Sequence, residues 1–429
     1  MREMKNSGVY WIGDIPDNWN LLPTKRFFRS EKRIVGDAVD EYERLALTMQ
    51  GVIKRSKDDS EGLQPEKFEG YQILRENELV FKLIDLENVK TSRVGLSPYT
   101  GLVSPAYIIL TNEQKDNRFF YYWFMFMYYN EVFNQLGGAG VRSALNAKDV
   151  CMLPVPAIAY DEQQRIADYL DDKCRRIDTI ISKQEQIIEK LKSYKLALIT
   201  DTVIKGLRFN RQYKNSGYDF IGEIPSEWEV CRLRNIGKPQ NGISKDGKYF
   251  GHGSPFVSYG DVYRNYLLPE NVEGSLDTTE EEQANYSVEA GDIFFTRTSE
   301  TIEEVGFSCV CEKTIPHATF AGFVIRVRPF NDKLKTGYAK YFFRSNHQRK
   351  YLVKEMNLVT RASLGQDLLK SMPVLIPPKT EQDEIAEYLD KKCSIIDESI
   401  KKRESIIEKL TLYKKSLIYE VVTGKKEVV

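Results

Sequence analysis

Apolar residues fall on a seven-residue grid in two stretches of this chain. Leu170, Ile177, Leu191 and Leu198 mark the grid in the first, with Ile181 and Ile188 between them. Leu389, Ile396, Leu410 and Leu417 mark it in the second, with Ile400 and Ile407 between them. A heptad grid sustained this long predicts a coiled-coil seam on a long helix. Residues 162–204 and 381–423 hold neither Pro nor Gly, and Gly206 and Gly424 follow them. Pro154 and Pro156 precede the first stretch; Pro373, Pro377 and Pro378 precede the second. Such punctuation bounds two helices of about 43 residues, each roughly 60 Å long at 1.5 Å per residue. Asp161 and Thr380 stand where N-caps belong. The grid is interrupted by Gln184 in one helix and by Arg403 at the matched place in the other. The stripes are expected to pair with each other, antiparallel, because one chain carries both.

The remaining polar and apolar positions alternate over short runs. They predict strands at Glu78–Lys82, Gly95–Ser97, Leu102–Leu110, Asp292–Thr296, Gly306–Ser308 and Phe323–Val327. Helices are predicted at Arg118–Asn134 and Thr336–Val353. The stretch Phe119–Tyr129 is apolar but too short to span a bilayer, and reads as a buried helix.

These elements come in two sets. K-N-S-G-V-Y-W-I-G-D-I-P-D-N-W begins at Lys5, and K-N-S-G-Y-D-F-I-G-E-I-P-S-E-W begins at Lys214. E-Q-Q-R-I-A-D-Y-L-D begins at Glu162, and E-Q-D-E-I-A-E-Y-L-D at Glu381. A repeat this long means two whole domains and not a solenoid. The fold class is therefore α/β (α+β): two similar globular domains with an internal pseudo-two-fold repeat, separated by a pair of long antiparallel coiled-coil helices. The expected boundaries are 1–160 for the first domain, 161–208 for the first helix, 209–379 for the second domain, and 380–429 for the second helix and tail. Two similar surfaces related by an approximate two-fold suit a partner with antiparallel strands, such as DNA.

Composition narrows the chemistry. Hydrophobic content of 41% with 12% aromatics is that of a folded protein, and the formal net charge is zero. A neutral chain does not bind nucleic acid by bulk charge; a local basic surface would have to do it. The six Cys show no pairing or zinc spacing, and the three His (His252, His317, His347) are scattered. Cys174 and Cys393 fall on matched helical positions and read as core. No metal site and no cofactor are expected. The absence of a leader and of a membrane-spanning run makes a cytoplasmic location the default, with no membrane association. No phosphate-cradling G-x-x-x-x-G-K-[ST] loop is present, and Gly137-Gly138-Ala139-Gly140 follows a helix instead of a strand. Ser104-Pro105-Ala106-Tyr107 lacks the amide or carboxylate with which amino-methyltransferases hold a flipped base. No catalytic residue is expected: the chain reads as a binder and not an enzyme.

The candidate DNA-facing residues are basic and aromatic groups in the loops of the two domains. Lys82, Lys90 and Arg93 flank one loop of the first domain, and Arg297 enters the corresponding loop of the second. Tyr259, Asp261 and Arg264 form a turn rich in groups that read base edges, with Tyr263 among them. Arg142-Ser143 and Arg361-Ala362 are matched, each shortly before the Pro-rich lead into a long helix. Arg and Lys hold phosphate or grip guanine; Ser and Asp read other edges.

The repeated I-G-x-I-P-x-x-W opening and the paired E-Q-x-x-I-A-x-Y-L-D…I-D…I-I-E-K-L blocks resemble the specificity subunit of type I restriction–modification systems. Gly101–Tyr107 and Gly291–Phe295 add to the resemblance, which spans essentially the whole chain. It implies a non-catalytic subunit of an adenine-N6 methyltransferase and endonuclease. Each target recognition domain would read one half of a bipartite site on double-stranded DNA. The helices would set the unread spacer and recruit two methyltransferase (M) subunits, with restriction (R) subunits joining the full complex. Two other readings stand beside it. One is a structural protein whose coiled coil joins two interaction domains. The other is a self-contained methyltransferase, which the missing cofactor motifs disfavour.

Overall fold

The computed structural model describes residues 2–59, 67–86, 93–136, 144–299, 304–355 and 362–428. It is a mixed α+β chain of two units: residues 1–184 with 404–429, and residues 185–403. Each unit combines one globular portion with segments of both long helices. The breaks fall after Gln184 and after Arg403, the two polar interruptions of the heptad grid.

The long helices run without interruption over Tyr160–Lys205 and Lys379–Val422, 46 and 44 residues. Both start one residue ahead of the expected caps, so Asp161 and Thr380 lie in the first turn. The carbonyl of Ala159 already accepts from Gln163, and that of Pro378 from Gln382. A carboxylate such as Asp161 remains favourable in that turn because it faces the positive end of the helix dipole.

The two units share one wiring. In the first unit, the hairpin Met4–Asn6 with Asp14–Pro16 leads to the buried Trp19. Asn20–Pro23 then pairs with Pro154–Ala157, the strand that enters the first long helix. In the second unit Tyr213–Asn215 pairs with Glu223–Pro225, Trp228 is buried, and Glu229–Arg232 pairs with Pro373–Ile376. Each unit has a four-stranded sheet of the same order. In the first it runs Arg29–Ser30, Ile108–Thr111, Leu79–Lys82, Arg93–Leu96; in the second Gly237–Asn241, Val324–Pro329, Ile293–Thr296, Ser308–Val310. Each also has a pair of parallel strands, Arg44–Thr48 with Gly101–Val103 and Phe250–Val257 with Thr319–Phe320.

Several expected elements are shorter than the hydrophobic pattern suggested. The run Leu102–Leu110 is two strands, Gly101–Val103 and Ile108–Thr111. Pro105 lies between them, where it owes no ladder hydrogen bond. The helix expected over Arg118–Asn134 stops at Tyr129 and resumes at Val132, because Glu131 takes a φ of 55° that no α-helix accommodates. Thr336–Val353 likewise splits into Thr336–Phe342 and Asn346–Glu355.

Each unit closes its core on its own pieces of the long helices. In the first, Phe119, Trp123, Phe126 and Val155 pack with Leu170, Cys174, Ile177, Leu417, Ile418 and Val421. In the second, Trp228, Phe295, Tyr338 and Leu375 pack with Ile199, Val203, Ile385, Leu389, Cys393 and Ile396. Of the seam residues, Leu170, Ile177, Leu389, Ile396 and Leu417 are buried; Leu191, Leu198 and Leu410 are half-buried. The seam is thus tightest where the globular parts press on it.

Within each unit the helix segments run antiparallel. In the first, Asp178 takes Lys414, while the Lys426 ammonium lies 5.9 Å from the Tyr169 ring. In the second, Lys195 takes Asp397, and Arg208 takes Glu384. The anchoring contacts repeat as well. The Tyr122 hydroxyl donates to Asp171 at 2.6 Å, and Tyr341 to Asp390 at 2.7 Å. Burial and the neighbouring carboxylate push both phenols well above their ordinary range.

Candidate nucleic-acid interface

In the first unit, Lys82 closes the strand Leu79–Lys82 and stands directly opposite Arg93, the first residue of Arg93–Leu96. The pleat and the ladder fix that pairing: Leu79, Val80 and Phe81 are buried, and the polar ends of both strands reach the mouth of the hairpin. Both side chains are half-buried. Lys90, Arg142, Ser143 and Arg361 lie outside the described residues.

In the second unit, Arg297 follows the fully buried strand Ile293–Thr296 and is half-buried. Its backbone N–H donates to Phe323 O at 2.8 Å, its carbonyl accepts from Leu364 at 2.7 Å, and its guanidinium reaches Gly322 O at 3.4 Å. It borders a turn whose Phe323 is 62% exposed, a large apolar ring presented to solvent beside a cation. The same backbone bond exists in the first unit, where Leu145 N–H donates to Leu83 O at 3.1 Å. Leu83 is buried. One scaffold position therefore carries a guanidinium in one unit and an apolar side chain in the other.

The turn with Tyr259, Asp261 and Arg264 is a six-residue helix, Tyr259–Arg264. Asp261 has a structural job that spacing alone did not reveal. Its carboxylate accepts from the Ser258 N–H at 2.8 Å and the Ser258 hydroxyl at 2.7 Å, while Ser258 Oγ accepts from Asp261 N–H at 3.2 Å. This is a capping box, and it occupies that carboxylate oxygen. Arg264 is exposed; Tyr259 and Tyr263 are half-exposed and stack at 5.9 Å with their planes 17° apart. The Tyr259 hydroxyl donates to Glu304 O at 3.2 Å.

Sequence reasoning missed the groups beneath this helix. The Phe307 ring lies 5.0 Å from Tyr263, 4.8 Å from the Arg344 guanidinium and 5.0 Å from that of Arg349. Arg344 is buried, and burial pulls its proton affinity down although nearby phenols and a thiol oppose this. No local pattern marks Arg344: it follows the apolar run Tyr341–Phe343 and looks like an ordinary helix-end cation. Among the described residues no cluster of His, Cys, Asp or Glu could hold a metal ion, and no helix is long and apolar enough to cross a membrane. Cys309 and Cys311 lie on or just after one buried strand, where burial pushes both thiols up to about 12.

Comparison with known proteins places this geometry in context. Residues 225–409 match the family described as type I restriction modification DNA specificity domain. The chain is 25% identical over 307 residues to the type I restriction enzyme EcoKI specificity subunit of Escherichia coli (strain K12), covering 70% of this chain and 63% of that protein. It is 22% identical over 442 residues to the protein assigned as the type I restriction enzyme MjaX specificity subunit of Methanocaldococcus jannaschii, covering 96% of this chain and 95% of that protein. The fold aligns, with a TM-score of 0.69 and 15% identity, to a chain in a structure described as the basis of complex assembly and conformational transition of the type I R-M system; 96% of this chain and 99% of that one are covered.

Proposed function

We infer that this chain, a relative of type I restriction–modification specificity subunits, is the DNA-reading subunit of such a complex and is not itself an enzyme. Each unit reads one half of a bipartite site on double-stranded DNA. The observation that carries this reading is the doubled scaffold with exchanged surface chemistry. One sheet order, a parallel strand pair and one set of helix anchors recur, yet Arg297 stands where the other unit has Leu83. A scaffold kept while its loops change suits a protein that reads two different sequences. Lys82 and Arg93 are the candidate contacts of the first unit. Arg264, Arg297, Tyr259 and Tyr263 are those of the second, with Lys90, Arg142, Ser143 and Arg361 proposed from sequence.

The long helices set the unread spacer and recruit two methyltransferase subunits. Restriction subunits complete the nuclease. Adenine N6 lies inside the duplex, so methylation requires partner subunits that extrude the base. A neutral chain fits an assembly in which those partners supply part of the positive surface.

The test is co-expression with a methyltransferase subunit and mapping of methylated adenines. A bipartite methylated sequence that appears only when both chains are present supports the reading. Methylation by this chain alone, or no association with the methyltransferase, overturns it.

A further inference from the structure

We propose that Arg344 is a positioning residue for sequence reading by the second unit: it locks the short helix Tyr259–Arg264, from which Tyr263 and Arg264 meet DNA. The proposal rests on the DNA-reading function above.

A six-residue helix is too short to hold itself together in water. It keeps a fixed place only if its end groups are tied to the rest of the unit. At its start the Ser258–Asp261 capping box does this. At its end the orphan carbonyls are taken by side chains. Asn265 Nδ2 donates to Asp261 O at 2.9 Å. Arg344 Nη2 donates to Val262 O at 2.9 Å, Tyr263 O at 3.0 Å and Asn265 O at 2.6 Å. Arg344 Nε donates to Ser308 O at 2.6 Å, which ties the helix end to Ser308–Val310, the edge strand of the four-stranded sheet. The guanidinium also lies 5.0 Å from Tyr266 and 4.8 Å from Phe307. A desolvated cation is tolerated here because carbonyl dipoles and aromatic faces replace its water. An ammonium offers no planar fork to span two elements in this way.

The device belongs to one unit. The position matched to Arg344 in the first unit is Met125, and the strand Arg44–Thr48 turns directly into Gly51–Arg55 with no helix after it. Loss of the lock should therefore blur one half of the recognition sequence and spare the other.

The experiment uses the complex assembled with its methyltransferase subunits. Arg344→Lys and Ser258→Ala loosen the same helix from opposite ends, and the half-buried serine is lost there only as a cap. For each variant, methylated sites are mapped and binding to the mapped duplex is compared with binding to single-base changes. Arg344→Lys is expected to lose at least about tenfold in discrimination at the second unit's half-site, the scale of one base contact, and Ser258→Ala a smaller loss of up to about fivefold at the same half-site. Discrimination at the other half-site stays at the wild-type level. Combined with Arg264→Ala, the losses should fall short of multiplying, because all act through one helix. Three results overturn the proposal: unchanged discrimination in either assembled variant, equal loss at both half-sites, or fully multiplicative losses with Arg264→Ala. If Arg344→Lys does not assemble, Ser258→Ala decides alone. Failure of the DNA-reading function itself is distinct, since the wild-type complex would then show no bipartite methylated site.

Discussion

Lys195 Nζ donates to both carboxylate oxygens of Asp397 at 2.7 Å, and this ion pair is the repeat of another. Lys414 makes the same two bonds to Asp178, also at 2.7 Å. Lys195 and Lys414 occupy the same place in the two helices, as do Asp178 and Asp397. Each repeat thus donates a lysine to one pair and an aspartate to the other, as an antiparallel arrangement of duplicated helices requires. Neither pair is fully buried, so each contributes about 1 kcal/mol or less; their value is in fixing register.

Charge reversal tests that register. Lys195→Glu sets two carboxylates face to face and should lower the second unit's stability by about 1 kcal/mol. Lys195→Glu with Asp397→Lys should recover most of the loss in a thermal unfolding double-mutant cycle. Recovery stays incomplete because Lys195 also lies 5.3 Å from the Tyr266 ring. No recovery at all would mean that the helices do not hold this register in solution.

Gly206 ends the first long helix with a φ of 69°. A Cβ there would lie 2.4 Å from Glu381 Oε1, 2.6 Å from Arg211 Nη1 and 3.1 Å from the Trp228 ring. Those three groups form a network of their own, with Trp228 Nε1 donating to Glu381 at 3.0 Å and Arg211 at 2.7 Å. Gly206→Ala should cost more than the roughly 1–2 kcal/mol of left-handed strain alone, because it also splits the network. Denaturant titration followed by Trp fluorescence would read it; a cost under 1 kcal/mol would count against the packing described.

Stability of the first unit should fall in acid. Glu78 is 6% exposed. Burial raises its proton affinity, but two bonds from Arg33, at 2.6 and 3.0 Å, and the Arg75 N–H outweigh this and hold it below the usual carboxylate range. A carboxylate depressed on folding contributes fully above its unfolded value, about 4.3. That contribution is lost as pH falls through the folded value. Glu78→Gln should cost on the order of 3 kcal/mol at pH 7, and the gap to wild type should shrink below pH 4. Thermal unfolding between pH 3 and 7 measures it; a gap independent of pH would contradict the ion pair.

Arg264→Ala should weaken binding to the mapped site by about 1–3 kcal/mol with little change for mismatched duplexes. If Arg264 grips phosphate instead, all duplexes weaken alike and the salt dependence falls by about one unit. Binding isotherms at several salt concentrations separate the two.

Four residues inserted after Gln186 in one helix and after Ser405 in the other add about 6 Å to each. Four residues approximate one turn, so the apolar stripe keeps its facing. Duplex DNA rises about 3.4 Å per base pair, so the unread spacer should grow by one to two base pairs with both half-sites unchanged. A folded, active variant with the original gap would show that something other than the helices sets the spacing.

The sequence by itself determined the duplication, the two long helices and the strands read at Glu78–Lys82 and Asp292–Thr296, which fold as Leu79–Lys82 and Ile293–Thr296. These rest on local physics: heptad and alternating burial patterns, and Pro and Gly at element ends. It also marked Arg264 and Arg297 by residue type. Only the tertiary structure decided where those residues stand: Arg264 exposed at the end of a short helix, Arg297 half-buried with its guanidinium near Gly322 O. Asp261 was legible as a polar group in a turn, but its carboxylate belongs to a cap because Ser258 lies three residues before it in a helix too short to show a period. Arg344 became visible only when folding brought Val262, Tyr263, Asn265 and Ser308, far away in sequence, within 3.0 Å of its guanidinium. Hydrogen bonds to carbonyls leave no trace in side-chain identity, so the chain's letters record the donor and not its acceptors. That is also why Leu83 and Arg297 read as unrelated residues until the same backbone bond placed them at one point of a repeated fold.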